Sequence, residues 1–447
     1  MAGDPSSIGT QSGLELGTNN EIPNADQPYQ PFMDVRPPTH AGISDANGSP
    51  LTEREVLEVE RREREERQAT PEPEDFSIAF PEDLPTPPFL HVQGVPNFRD
   101  LGGYACKAPS AVSAGGGDGD DGAGVYVLRK GILYRCAHPT HLTQPGAEYL
   151  IGTLGVRDMY DLRSQPEISR LAATVAAAES GKEKSVYPLA DAQTGCLDRV
   201  PGLSRHFTPV YQSEDYGPVA LATKLAWYTA EHAHDEDAGF SYSEGFVKAY
   251  RDIAVHGAAA YGTIFRHLLE KPGAPLVFHC TAGKDRTGVF AALVARLVGV
   301  PDEVICWEYA LTEPGLGSWR NEFIDRICSG GLGSAGARQT LQQKQQQQQQ
   351  PQDGPPPRVW PGEQRPKISR EAAARICGSR AGNMRAFLKM VLDRELGSVE
   401  QYLSERCGFS EVEIERLRAS LVEKVAEGEV VRQCEIKGWT ADGGVEN

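Results

Sequence analysis

The chain has 447 residues, including 47 Gly and 32 Pro, and a formal net charge of -17. That length fits one large domain with unstructured additions, and so negative a balance excludes general affinity for nucleic acid or acidic membrane surfaces. The nine cysteines are scattered singly with none at Cys-x-x-Cys spacing, which excludes a disulfide framework and a zinc site and points to reduced thiols in an intracellular, cytoplasmic protein.

The start, Met1-Ala2-Gly3-Asp4-Pro5, has no apolar core, so no secretory signal is expected. Residues 1 to about 50 are rich in Ser, Gly, Pro and Asn without apolar periodicity and are expected to be disordered. A charged helix is predicted over 52–67, where Thr52 with Glu55 makes a capping box and Leu51 with Val56 a hydrophobic staple. It reads as a solvated helix, with partner binding through the N-terminal region as the functional alternative. The folded domain is expected over 87–427, followed by a tail over 428–447. A Gly/Asp-rich insert at 108–124 reads as a hairpin tip.

Short strands are predicted at Val125–Leu128 and Ile132–Tyr134, about a turn at Lys130-Gly131. A helix comes next over Thr143–Leu154, then a strand over Val156–Leu162, although Arg157-Asp158-Met159-Tyr160 is polar for a buried parallel strand. Beyond these lie a helix over 167–180, a strand over Ser185–Leu189, a helical part at Val219–His232 and a helical pattern over Tyr242–Glu270. Ala274–His279 is an apolar strand, and Thr287–Val298 an apolar helix ended by Gly299 and Pro301. The apolar stretch Val289–Val300 is too short to span a bilayer and contains Arg296, so no stable membrane insertion is expected. A Gln/Pro-rich insertion over 330–366 cannot bury a core; beyond it, Ser369–Cys377, Met384–Glu395, Val399–Cys407 and Ser410–Glu427 read as helices. Alternating strands and helices predict an α/β fold, a mostly parallel sheet flanked by helices.

Chemistry concentrates where the strand Ala274–His279 runs through Cys280 into a helix. A glycine-containing loop between strand and helix gathers unpaired amides at the positive end of the helix dipole and so binds anions. Lys284 and Arg286 flank that loop, and the planar fork of an arginine can grip two phosphate oxygens. A thiol at a helix N-terminus beside cations is biased toward the thiolate, the nucleophilic form. Of the nine cysteines, only Cys280 has an arginine six positions later. The blander reading, a small buried thiol at a strand end, does not account for that setting. Arg163 follows the strand Val156–Leu162 and so should emerge at the same carboxyl edge, there to bind phosphate or to pair with Asp161 or Glu167.

The segment His279-Cys280-Thr281-Ala282-Gly283-Lys284-Asp285-Arg286-Thr287-Gly288 resembles the phosphate-binding loop of the protein-tyrosine phosphatase superfamily, in its atypical bacterial and fungal branch. The blocks Asn97-Phe98-Arg99-Asp100-Leu101-Gly102-Gly103, Leu133-Tyr134-Arg135, Val156-Arg157 through Asp161-Leu162-Arg163-Ser164, and Gly397-Ser398-Val399-Glu400-Gln401-Tyr402-Leu403 are similar to that branch as well. The resemblance implies a phosphatase-type strand–loop–helix site in which Cys280 forms a phosphocysteine. Arg286 and the loop residues Thr281, Ala282, Gly283 and Lys284 would hold the phosphoryl group. His279 would tune the thiolate, and the Thr287 hydroxyl would stabilise it as it departs. The proton donor is Asp285 in the loop or Asp191 after the strand Ser185–Leu189. No metal or cofactor is called for, since the arginine and the amides supply the positive field.

The substrate implied is phosphotyrosine in proteins. Lys284, a second cation, motivates a phosphoinositide or inositol-phosphate substrate as the alternative. Sulfur transfer and phosphate binding without turnover complete the set of readings.

Overall fold

The structure, a computed structural model, describes residues 84–109, 124–179, 187–212 apart from 192, 226–228, 233–235, 240–328 and 368–426, with scattered positions of the tail. The N-terminal charged helix, most of the glycine-rich insert and of the helix expected at Val219–His232, and the Gln/Pro-rich segment lie outside the described residues. The chain divides into two compact units, Met1–Ser77 and Ile78–Asn447, and every described residue belongs to the second.

In chain order the strands are β1 (Arg99–Asp100), β2 (Ala105–Cys106), β3 (Tyr126–Leu128), β4 (Leu133–Cys136), β5 (Asp158–Asp161), β6 (Ser204–Phe207), β7 (Ala233–Asp235), β8 (Phe240–Tyr242), β9 (Leu276–His279) and β10 (Val422–Lys424). A five-stranded sheet runs β1-β4-β9-β5-β6, with β4, β9, β5 and β6 mutually parallel and β1 antiparallel at the edge. All four residues of β9, Leu-Val-Phe-His, are buried, as befits a central parallel strand covered on both faces. Side chains alternate across it: Leu276 and Phe278 enter the larger core cluster, and Val277 enters the smaller one with Met159 and Tyr134.

Strand register brings the ends of three strands together at the carboxyl edge of this sheet. His279 lies beside Cys136 of β4 and Asp161 of β5, so Ala137, Cys280 and Leu162 leave the sheet side by side. The polar character of β5 is accounted for within the sheet: Asp158 pairs with His206 of β6 at 2.7 Å, and Asp161 with Arg205 of β6 at 3.0 Å. The helix Asp285–Leu297 packs behind the site, where Phe290 meets Phe278 edge-on at 4.8 Å between ring centroids. Burying that ring contributes roughly 1.5–3 kcal/mol.

Several expectations are corrected. The two strands expected about Lys130-Gly131 are present as β3 and β4 with a turn between them, but they lie in different sheets: β3 joins β2 and β10 in a separate three-stranded sheet. The helix expected over Ser410–Glu427 stops at Ser420, and Val422–Lys424 turns back as β10 to satisfy the backbone edge of β3. Of the strand expected at Ser185–Leu189, the described part from Tyr187 is turn, and the partner of β5 is the more polar Ser204–Phe207. The pattern over Tyr242–Glu270 is two helices, Glu244–His256 and Ala258–Glu270, divided at Gly257, where a Cβ would stand 2.6 Å from the Ile253 carbonyl. Helices over Asp302–Ala310, Thr312–Leu316 and Trp319–Cys328 continue from the site. Among the described residues no helix is long and apolar enough to cross a membrane.

Candidate active site

The loop from Cys280 to Lys284 joins β9 to the helix Asp285–Leu297 and is pinned from outside by its carbonyls. The His138 amide donates to the Thr281 carbonyl at 3.0 Å, Asn97 Nδ2 to that of Ala282 at 3.2 Å and an Arg135 terminal nitrogen to that of Gly283 at 2.7 Å. In a trans peptide unit the C=O and the next N–H point opposite ways. Carbonyls tied outward therefore turn the amides of Ala282, Gly283 and Lys284 to the concave side, an anion-binding arrangement. Gly283 makes this turn feasible: its φ is +64°, and a Cβ there would stand 2.2 Å from the Cys136 carbonyl oxygen.

Behind the loop lies a buried ionic triad. Arg99 Nε donates to Glu308 Oε1 at 2.7 Å and Arg135 NH1 to Oε2 at 2.6 Å. Arg99 also donates to the side chain of Asn97, which steadies the residue that holds the Ala282 carbonyl. Burial works to raise the Glu308 carboxyl, yet Arg135 and Arg99 together hold it below its ordinary value.

Cys280 is buried at the floor of the loop, 3 % exposed. His279 beside it places Nδ1 3.0 Å from the Cys280 carbonyl. A carbonyl only accepts, so Nδ1 carries the proton. Burial lowers the His279 pKa to about 4, so the ring is neutral and acts as a dipole, not as a cation. The Thr287 hydroxyl is fully buried and has no hydrogen-bond partner among the described residues.

Arg286 is held by Glu167, a residue that local sequence pairing had offered to Arg163. Its two terminal nitrogens donate to the Glu167 carboxylate at 2.6 and 2.7 Å. Thr281 Oγ1 adds a bond to Glu167 Oε1 at 2.8 Å, and the Ser164 amide and hydroxyl reach Oε2 at 3.0 and 2.8 Å. Burial opposes the charge, but Arg286 above all keeps this carboxyl well below the usual carboxylate range. Asp285, the first residue of the helix, accepts from the Tyr250 hydroxyl at 3.0 Å, and Lys284 Nζ stands 3.5 Å from the same oxygen.

Three expected site residues are engaged by partners of their own. Lys284 is 2 % exposed and donates to the backbone carbonyls of Ile376 and Gly378 beneath the Phe246 ring, 4.9 Å from its centroid, so its ammonium is already engaged. Arg163 is buried and grips Asp161 at 2.9 and 2.7 Å, the ion pair that had stood open for it beside phosphate binding. Among the described residues Asp191 follows turn, not strand: it accepts from the amides of Gln193 at 2.8 Å and Thr194 at 3.2 Å and pairs with Arg199. The Gln193 amide first, with Thr194 and Arg199, lowers its pKa, the wrong direction for a proton donor. Sequence reasoning missed Glu167, Arg135, Glu308, Asn97 and Tyr250 as neighbours of the loop. The Asn97 and Arg135 blocks were visible, but nothing local in them points to the loop carbonyls.

A family model described as the tyrosine phosphatase family matches residues 90–423. Over 72 residues the chain is 35 % identical to a tyrosine-protein phosphatase of Nostoc commune, covering 16 % of this chain and 24 % of that protein, about a quarter of the relative's length. It is 27 % identical to the triple specificity protein phosphatase PtpB of Mycobacterium tuberculosis over 204 residues, 45 % of this chain and 67 % of that one. With a putative tyrosine-protein phosphatase of Cupriavidus necator it shares 26 % identity over 246 residues, 55 % of this chain and 70 % of the relative.

Proposed function

Because the chain belongs to the tyrosine phosphatase family, we propose that it hydrolyses phosphomonoesters, phosphotyrosine in proteins first among them, through a phosphocysteine at Cys280. The observation that carries this reading is the loop itself. Its carbonyls are tied outward to His138, Asn97 and Arg135, and Cys280 and Arg286 stand at its two ends.

In the first step the Cys280 thiolate attacks phosphorus, and the bond to the ester oxygen breaks. The leaving oxygen takes its electron pair and a proton from Asp285. The loop amides and Arg286 receive the charge on the equatorial oxygens, and Glu167 keeps the guanidinium oriented. In the second step water attacks phosphorus, its proton passes to Asp285, and the sulfur leaves as thiolate. The Thr287 hydroxyl, without a partner among the described residues, and the inward-facing amides of the loop are the donors suited to that thiolate. His279, neutral and bonded to the Cys280 carbonyl, orients the backbone under the nucleophile.

Two features support a single phosphate on an aromatic ester. Lys284, the cation that would favour a second phosphate, is engaged by Ile376 and Gly378. Near His138, which holds the Thr281 carbonyl, the His141 ring packs against Tyr187 at 4.5 Å and Trp319 at 4.7 Å, an aromatic cluster suited to an aryl ester.

The test is phosphate release from phosphotyrosine peptides, phosphoserine peptides and phosphoinositides by wild type, Cys280→Ser and Arg286→Ala. Phosphotyrosine is expected to be the best substrate, with both variants inactive and a phosphoenzyme trapped by rapid acid quench in wild type alone. Undiminished turnover by Cys280→Ser overturns the mechanism; faster release from phosphoinositides overturns the substrate.

A further inference from the structure

Asp285 sits at the start of its helix with one carboxylate oxygen already engaged. Tyr250, on the helix Glu244–His256, donates its hydroxyl to Asp285 Oδ1 at 3.0 Å. The Tyr250 hydroxyl is itself hydrogen-bonded to that of Tyr309, on the helix Asp302–Ala310. A tyrosine hydroxyl has one proton, and a carboxylate can only accept. The proton of Tyr250 therefore goes to Asp285, which makes Tyr309 the donor within the pair: the chain runs Tyr309 to Tyr250 to Asp285.

Both rings are fixed. Tyr250 meets Phe246, Tyr309 and Phe387 edge-on, with centroids 5.9, 6.0 and 6.1 Å away. Gly288, one turn into the loop helix, admits Tyr309: a Cβ there would stand 2.8 Å from the ring. Burial raises both tyrosines well above their ordinary pKa, so each remains a hydroxyl donor at any working pH. The other titratable groups that face Asp285 are Lys284, 3.5 Å from the same oxygen, with Tyr228, Tyr261 and Cys377 farther out.

We propose that Tyr250, backed by Tyr309, is the positioning residue for Asp285: it holds Oδ1 and leaves Oδ2 to carry the proton to the ester oxygen. The inference rests on the reading of Asp285 as proton donor. Among the described residues no hydrogen bond reaches Oδ2. A carboxylic acid that keeps its carbonyl oxygen bonded to Tyr250 can present its O–H in one direction only, which removes a rotational freedom the transition state would otherwise have to restrict.

A positioning role for a proton donor has a chemical signature. Phenyl phosphate expels a basic oxygen that needs the proton, whereas 2,4-dinitrophenyl phosphate expels one that does not. On the full-length chain, Tyr250→Phe keeps the ring and removes only the hydroxyl. Its kcat on phenyl phosphate is expected to fall by about tenfold, the worth of one hydrogen bond to a charged group. On the dinitrophenyl ester the fall is expected to be no more than about twofold, with KM unchanged for both, because ground-state binding is untouched. Tyr309→Phe should show the same contrast in smaller degree and guards against a Tyr250 variant that fails to fold. Asp285→Asn should show it in larger degree. If Asp285→Asn discriminates between the esters and neither tyrosine variant does, the positioning role is overturned and the proton donor stands. If Asp285→Asn does not discriminate, the proton donor is wrong and the positioning role falls with it. An equal loss on both esters in the tyrosine variants also overturns it, since packing alone then accounts for the effect.

Discussion

Glu167 grips Arg286 from 119 residues away in the sequence. It receives hydrogen bonds from Arg286, Ser164 and Thr281, so its carboxylate is fixed before any substrate arrives. Glu167→Gln keeps the shape but replaces an acceptor with a donor and removes the charge that opposes the guanidinium. Arg286 then loses its orientation, and a misplaced phosphate clamp is expected to cost on the order of 10–100-fold in kcat/KM with the fold retained. Steady-state kinetics beside a thermal melt checks this; a variant with unaltered kcat/KM would show that the Leu162 carbonyl and Thr281 suffice to orient Arg286. Cys280 and Arg286 could be placed together from the sequence because one short segment carries both. Glu167 was not, because its partner is set by where two strands of the sheet end, and local spacing offered it to Arg163 instead.

Among the elements, the strand β9, its loop and the helix Asp285–Leu297 were read within two residues of their observed ends, since an apolar run beside a glycine loop has few other uses. The misplaced elements have weaker signals. β6, Ser-Arg-His-Phe, shows no alternation and lies at the sheet edge, and β10 continues a charged helix without a break residue. Lys284 was misplaced for a third reason: its partners Ile376 and Gly378 lie 92 and 94 residues on, at the end of the helix Arg370–Cys377. A cation there meets the negative end of the helix dipole and its unpaired carbonyls. Lys284→Met removes those bonds while filling the space, at an expected cost of about 2–3 kcal/mol for buried charge-assisted hydrogen bonds. Hydrogen exchange should then quicken over 370–378 while β9 keeps its protection. A variant that weakens substrate binding without that change in exchange would restore Lys284 to the phosphate site.

Across the whole molecule a chain of net charge -17 keeps Arg99, Arg135, Arg163 and Lys284 buried, and each faces a carboxylate or a backbone carbonyl. Stability therefore depends on Asp161, Glu167 and Glu308 staying charged while His279 stays neutral. Burial opposes all three carboxylates and the arginines overcome it, so each titrates below its ordinary value. His279 is depressed from 6.5 to about 4, chiefly by burial. A depressed pKa means that, as pH falls, the unfolded chain takes up the proton first, so stability is lost on acidification in both cases. The windows differ. Between 6.5 and about 4 the loss comes from His279, at most about 3 kcal/mol, with a smaller share from His267, whose pKa burial also lowers. Below that window it comes from the carboxylates. Denaturant melts across that range should show both limbs, and His279→Gln, which keeps a donor for the Cys280 carbonyl but cannot titrate, should shrink only the first. An unshrunken first limb would assign it to His267. Glu308→Gln should instead cost about 3–5 kcal/mol at neutral pH, because it leaves Arg99 and Arg135 facing each other without the charge between them. That variant should also lose less on further acidification than wild type, since the carboxylate whose protonation would break the triad is already gone.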